Sequence, residues 1–205
     1  MRRLLPLFCL LLLAARAGAA DPFADPQILE VQQLHDAAVR EEKGAVPKLL
    51  TRLETLTQEH PQNALLHAYL GSAYTLKSRD AFPGPGKLAA LKKGLQTMDA
   101  AVAGAPRDVG ARLVRAINNF ELPAFFRRRQ TARDDFTYLV QEIREPGIGD
   151  DLDLATRQTI YYYAGLSFAQ EKDRPGARQA WRDGLQLDAS TPLGQKMGKA
   201  LAKLD

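Results

Sequence analysis

From residue 26 onward, apolar residues recur three and four positions apart, and no run sustains the period-two alternation of a half-buried strand. The closing stretch is typical. Leu193, Met197, Leu201 and Leu204 fall on one face of a helix, and Lys196, Lys199 and Lys203 fall elsewhere. Start signals precede several of these stretches. Asp25-Pro26 and Thr191-Pro192 place a capping oxygen before a proline that loses nothing at a first helical position, and Asn63 and Asp153 stand before Ala64 and Leu154. Breaks fall at 60–63, 104–107, 146–149 and 189–192, about 40 residues apart, with two amphipathic stretches between successive breaks. The pattern predicts an all-α chain of stacked helical hairpins.

The sharpest repeat is in residues 158–191. Tyr161, Ala164, Gly165, Phe168, Ala177, Trp181 and Gly184 take positions 4, 7, 8, 11, 20, 24 and 27 of a unit of about 34 residues. This resembles the tetratricopeptide repeat. Small residues at Gly165 and Ala177 let two helices cross closely, and Tyr161, Phe168 and Trp181 fill the space beside the crossing. A second unit starts at Ala64. His67, Leu70, Gly71 and Tyr74 match its first helix, and Met98, Ala101 and Pro106 match a second helix over roughly 87–103, once about 11 extra residues around 77–86 are allowed. A third, from Val109, has Ala116 at the glycine position and Ala132 and Phe136 later, with extra residues around 123–126. A fourth, over 30–61, shows helical pairing with Ala37, Leu49, Leu53, Leu56 and a closing Pro61. The resemblance implies a solenoid of about four hairpins, at about 26–63, 64–107, 108–147 and 153–191, closed by a capping helix over 192–205. The stretch from Leu66 to Phe136, with Leu70–Tyr74, Ser78–Asp80 and Arg115–Asn119, is also similar to exported bacterial tetratricopeptide-like proteins for which no activity is established.

In the tetratricopeptide family the inner groove is lined from the first helix of each unit. Carried over, this implies Leu65, Ala68, Ser72 and Thr75, then Leu113, Ile117 and Phe120, then Tyr162 and Leu166. The lining is mostly apolar. The Lys and Asn pattern with which some members clamp a peptide carboxylate is missing at these positions. The groove is therefore expected either to take a helix or extended peptide, or to be filled by the insertion at 77–86. Asn118 and Asn119 either bond a peptide backbone there or end their helix before Pro123.

The first 20 residues are of another kind. Arg2 and Arg3 precede an apolar run from Leu4 to Ala15, and small residues at 17–20 offer cleavage positions. That is the build of a cleavable signal peptide, and the run is too short to span a bilayer. Cys9, the only cysteine, lies within it. The expectation is export, to the periplasm of a Gram-negative bacterium or, alternatively, by secretion. The reading also changes the charge picture. The chain has 28 basic and 24 acidic residues, but Arg2, Arg3 and Arg16 leave with the signal, and 25 face 24 in the remainder. So balanced a domain does not predict nucleic-acid binding.

Few residues point to chemistry. His35, His60 and His67 are the only histidines and show no metal-ligand spacing. There is no Gly-x-Ser-x-Gly elbow and no phosphate-binding loop. Asp134 and Asp135 are adjacent on a helix and diverge by about 100°, so they cannot converge on one substrate. No enzyme, cofactor or metal is expected. Charge is less even. Residues 107–133 hold arginines at 107, 112, 115, 127, 128, 129 and 133 against Asp108 and Glu121, and 141–153 is acidic. Phe125 and Phe126 beside Arg127, Arg128 and Arg129 combine an apolar anchor with a basic rim. The sequence thus predicts a non-catalytic interaction module whose candidate contacts with an unidentified protein or peptide are Leu113, Ile117, Asn118, Phe120, Tyr162, Leu166, Phe125, Phe126 and Arg127–Arg129. The alternative is a binder of an anionic small ligand or envelope polymer through the arginines.

Overall fold

A computed structural model describes residues 21–145, 147 and 149–204. The expected signal segment, 1–20, lies outside the described residues. Among the described residues nine α-helices follow one another: α1 Pro26–Val39, α2 Ala45–Glu59, α3 Ala64–Asp80, α4 Pro85–Gly104, α5 Val109–Glu121, α6 Arg129–Glu142, α7 Leu154–Gln170, α8 Arg174–Leu187 and α9 Pro192–Ala202. No strand occurs among the described residues.

The starts are where capping chemistry put them. The side chains of Asp25, Asn63, Asp153 and Thr191 each accept a hydrogen bond from a backbone N–H of the first turn. Asp108 and Asp173 do the same for α5 and α8.

Helices pack as antiparallel pairs, α1 with α2, α3 with α4, α5 with α6 and α7 with α8, and α9 closes on α8 and α7. Every pair in substantial contact lies within two places along the chain, and α1, α3, α5 and α7 each touch the next in that series. The result is an all-α, repeat-like stack. Its main core joins Leu49, Leu53, Leu66, Leu139, Phe136, Ile160, Trp181 and Met197. The expected capping helix sets Met197 fully inside and packs Leu193, Leu201 and Leu204 on the core.

The insertion at 77–86 does not form a long loop, and α4 starts earlier than the expected Lys87. α3 continues to Asp80 and α4 begins at Pro85, which leaves only 81–84 between them. Ser78 makes this possible, because its buried hydroxyl donates to Lys87 O at 2.8 Å. Lys87 Nζ in turn donates to Arg79 O and Ala81 O at the end of α3.

A further contact crosses the stack. Asp21 Oδ2 accepts from Asp153 N at 3.1 Å, 132 residues away in sequence. Between them Phe23 is 5% exposed and belongs to the main core. Residues 21–25 thus strap the start of α1 to the start of α7.

Candidate functional site

The facing helices α1, α3 and α5 meet along a polar seam. His35 Nε2 and Ser72 Oγ share a hydrogen bond of 2.8 Å. Asn118 Nδ2 donates to Thr75 Oγ1 at 2.7 Å and to Ser72 Oγ at 3.3 Å. Thr75 Oγ1 donates back to Ser72 O at 2.7 Å. The Tyr69 ring stands edge-on to His35, with centroids 5.4 Å apart. Burial dominates the electrostatics. It holds the His35 imidazole below its ordinary pKa, against the pull of Asp36, and pushes the Tyr69 hydroxyl up to about 12.

One member of the seam is unsatisfied. Asn118 Oδ1 is shielded from solvent and has no hydrogen-bond partner. Such acceptors are uncommon in folded proteins. Asn119, fully buried, accepts from Arg128 Nε at 3.0 Å, and its Nδ2 is likewise unpartnered. The two asparagines therefore differ. Asn118 sits in the seam between α3 and α5, and Asn119 anchors the turn that follows α5.

The lining implied by the repeat resemblance divides into two parts. Leu65, Ala68, Ser72 and Thr75 are buried, as is Leu113, so the second hairpin presents no open groove there. The cause is the polar seam, which brings α1 and α5 onto that face of α3; the insertion, whose tip Phe82 is 94% exposed, does not fill it. Ile117, Phe120, Tyr162 and Leu166 are half-buried against the main core. Phe120 and Tyr162 both meet Tyr163 edge-on, at 5.9 and 5.4 Å, so an aromatic cluster continues the seam toward α7.

The arginine-rich segment is drawn into the structure. Arg112 Nη1 and Arg115 Nη2 both reach Asp135 Oδ1 at 2.8 Å, and the Asp135 side chain is only 1% exposed. Arg115 and Arg128 also contact Asp99, at 3.3 and 2.6 Å. Arg133 pairs with Asp173 at 2.8 Å. Asp135 was unpromising as a catalytic carboxylate, and its actual use is as the buried acceptor for two arginines of the neighbouring helix. A buried carboxylate needs such paired donors. Of the adjacent arginines, Arg128 is thus committed, Arg127 is exposed with a left-handed backbone at φ 56°, and Arg129 Nε is buried without a partner. Phe125 is exposed, and Phe126 is half-buried beside it.

His67 is half-buried and bonds Pro61 O at 3.1 Å, where it borders a shallow recess between the start of α3 and the second half of α4. The described residues contain no cluster of three His, Asp or Glu placed to hold a metal, and no described helix is long and apolar enough to cross a membrane. The sequence marks Ser72 and Asn118 as groove candidates but not His35, and that the three join in one seam follows only from the packing of α1, α3 and α5. Comparison with protein-family models, curated proteins and solved structures finds no match to this chain.

Proposed function

We propose that this chain is an exported, tetratricopeptide-like protein-interaction module that binds a peptide segment along its inner face and catalyses nothing itself. The solenoid reading is supported by packing confined to chain neighbours and by the repeated glycine crossings of the second and fourth hairpins. The observation that carries the binding reading is the set of half-buried apolar side chains Ile117, Phe120, Tyr162 and Leu166 on the first helices of the third and fourth hairpins, where the buried lining of the second hairpin gives way to partly open surface. Such a strip offers apolar contact for the side chains of a helix or extended peptide. The periplasm is the compartment that the N-terminal sequence favours.

The test is crosslinking capture from a bacterial envelope fraction, compared between the parent, Phe120→Ala and Tyr162→Ala. A partner retained by the parent and lost from both variants, with helicity unchanged, supports the module. A partner set indifferent to both substitutions overturns the inner-face reading. Binding of an anionic ligand is the other reading. It rests on Arg107, Arg127 and Arg129, since Arg112, Arg115, Arg128 and Arg133 are in ion pairs. It predicts saturable, salt-sensitive binding that Arg127→Ala removes.

A further inference from the structure

The four turns that join α1 to α2, α3 to α4, α5 to α6 and α7 to α8 lie along one edge of the stack. Arg79, at the end of α3, donates to Ala38 O and Val39 O at the end of α1, at 2.9 and 3.3 Å. Asn118 near the end of α5 meets Thr75 in the second half of α3, and Arg133 early in α6 meets Asp173 between α7 and α8. The first helices of successive hairpins therefore run parallel, and their ends align.

That edge is unusually apolar. Val39 is 50% exposed, Phe82 94%, Leu88 63% and Phe125 75%. Leu29, toward the opposite end of α1, is the one other large apolar side chain this exposed among the described residues. A phenylalanine as open as Phe82 contributes nothing to the fold, and it sits in a frame of Pro83, Gly84 and Pro85 that holds it out from the surface. Positive charge accompanies it. Residues 77–88 carry Lys77, Arg79 and Lys87 against Asp80, and residues 121–129 carry Arg127, Arg128 and Arg129 against Glu121. The first turn, Arg40–Lys43, and the fourth, Glu171–Arg174, each balance their charges, so the positive part of the edge is confined to the second and third hairpins, where Phe82 and Phe125 also stand.

We propose that the turn edge of the second and third hairpins docks on the surface of an anionic phospholipid bilayer, with Phe82 and Phe125 entering the interface and Arg127 and Lys77 meeting the phosphates. Charge complementarity selects this occupant. Apolar tips on separate turns, interleaved with cations, match a fluid anionic interface into which each tip inserts independently. The surface is distinct from the inner face, so its failure leaves the peptide-binding reading standing, and the reverse.

The experiment is flotation with vesicles of phosphatidylcholine alone and of phosphatidylcholine mixed with phosphatidylglycerol. Both the full chain and a chain beginning at Asp21, first checked for a helical spectrum and a cooperative melt, are floated as parent, as Phe82→Ser/Phe125→Ser and as Arg127→Glu. The expected result is salt-sensitive flotation of the parent with the anionic vesicles only, reduced by about tenfold or more in the double variant. Arg127→Glu is expected to weaken it further at low salt than at high salt. Free glycerol phosphate is expected not to compete. Three results overturn the proposal: no flotation of the Asp21 chain, equal flotation of parent and double variant, or competition by free glycerol phosphate, which would mark a soluble phosphate site instead.

Discussion

The second and fourth hairpins cross at glycines in the same register, Gly71 and Gly165, but what faces the glycine differs. A Cβ on Gly165 would overlap the indole of Trp181, whose Nε1 donates to Tyr162 O at 3.1 Å. A Cβ on Gly71 would lie 2.5 Å from Met98 Cγ and also 2.7 Å from Gly94 O. Gly94 is a second glycine opposite the first, and its own Cβ would meet Gly71 O at 2.6 Å. So α7 and α8 are separated by a large, rigid side chain, whereas α3 and α4 touch backbone to backbone. The first arrangement stores its stability in one residue. The second spreads it along two long helices, of 17 and 20 residues, that the insertion extended.

The largest expected effect tests this concentration. Trp181→Ala, at a site 3% exposed, is expected to cost about 3–5 kcal/mol, near the upper end of core truncations. Met98→Ala, also fully buried, is expected to cost about 2–3 kcal/mol, because the Gly71–Gly94 contact survives it. Chemical denaturation measures both, and equal losses would break the comparison.

Glycine substitutions sharpen it. Gly165→Ala and Gly71→Ala are each expected to cost about 1–3 kcal/mol by overfilling the crossing. The second mutation of each pair tells them apart. Trp181→Leu should recover part of the Gly165→Ala loss, since the obstruction was the indole. Met98→Ala should recover little for Gly71→Ala, since the Gly94 carbonyl remains. The coupling energy is therefore expected to be large in the fourth hairpin and small in the second.

Acid distinguishes the hairpins next. Beside the second stands His35, held below its ordinary pKa by burial. A base depressed in the fold is fully stabilising above its unfolded value of about 6.5 and loses that contribution as pH falls below it. At the edge of the fourth stands Asp173, lowered first by the Gly176 N–H and then by Arg133. Its contribution is complete above about pH 4 and is lost only as pH falls through its lower folded value. Stability measured from pH 8 to 3 is expected to fall in two stages. His35→Gln should remove the first, and Asp173→Asn should reduce the second, which Asp188, lowered by its hydrogen bonds from Ser190, shares.

The smallest expected effect concerns the turns. Lys172, between α7 and α8, has φ 64°, a left-handed conformation that costs a non-glycine residue about 1 kcal/mol. The corresponding turn of the second hairpin already has Gly84, at φ 151°. Lys172→Gly is expected to raise stability by about 0.5–1 kcal/mol, and Gly84→Ala to lower it by a similar amount. A melt of each variant decides.

What could be read from the chain follows the same division. The fourth hairpin was legible because its packing obeys local spacing. Tyr161, Gly165, Phe168, Ala177 and Trp181 are all buried, and their intervals alone imply a crossing. Helix starts were legible because a capping side chain acts within three residues. The opposing glycine, Gly94, was not, since nothing in its neighbourhood marks it as the partner of Gly71. The same holds for Asp135, whose meaning comes from Arg112 and Arg115 on another helix, and for the His35–Ser72–Asn118 seam. Each depends on residues 20 or more positions apart that only packing joins.

The strap from Asp21 to Asp153 has a consequence for how the array opens. Stacks of neighbour-only contacts tend to fray from their ends, each unit melting with its own midpoint. Here the segment before the first hairpin reaches the start of α7 through one long-range hydrogen bond, and Phe23 is buried in the core cluster that runs through the stack. Opening of the first hairpin is thereby coupled to the start of the fourth. Amide exchange in α1 should therefore be as slow as in α5, and unfolding should proceed as one event instead of a run of partial ones.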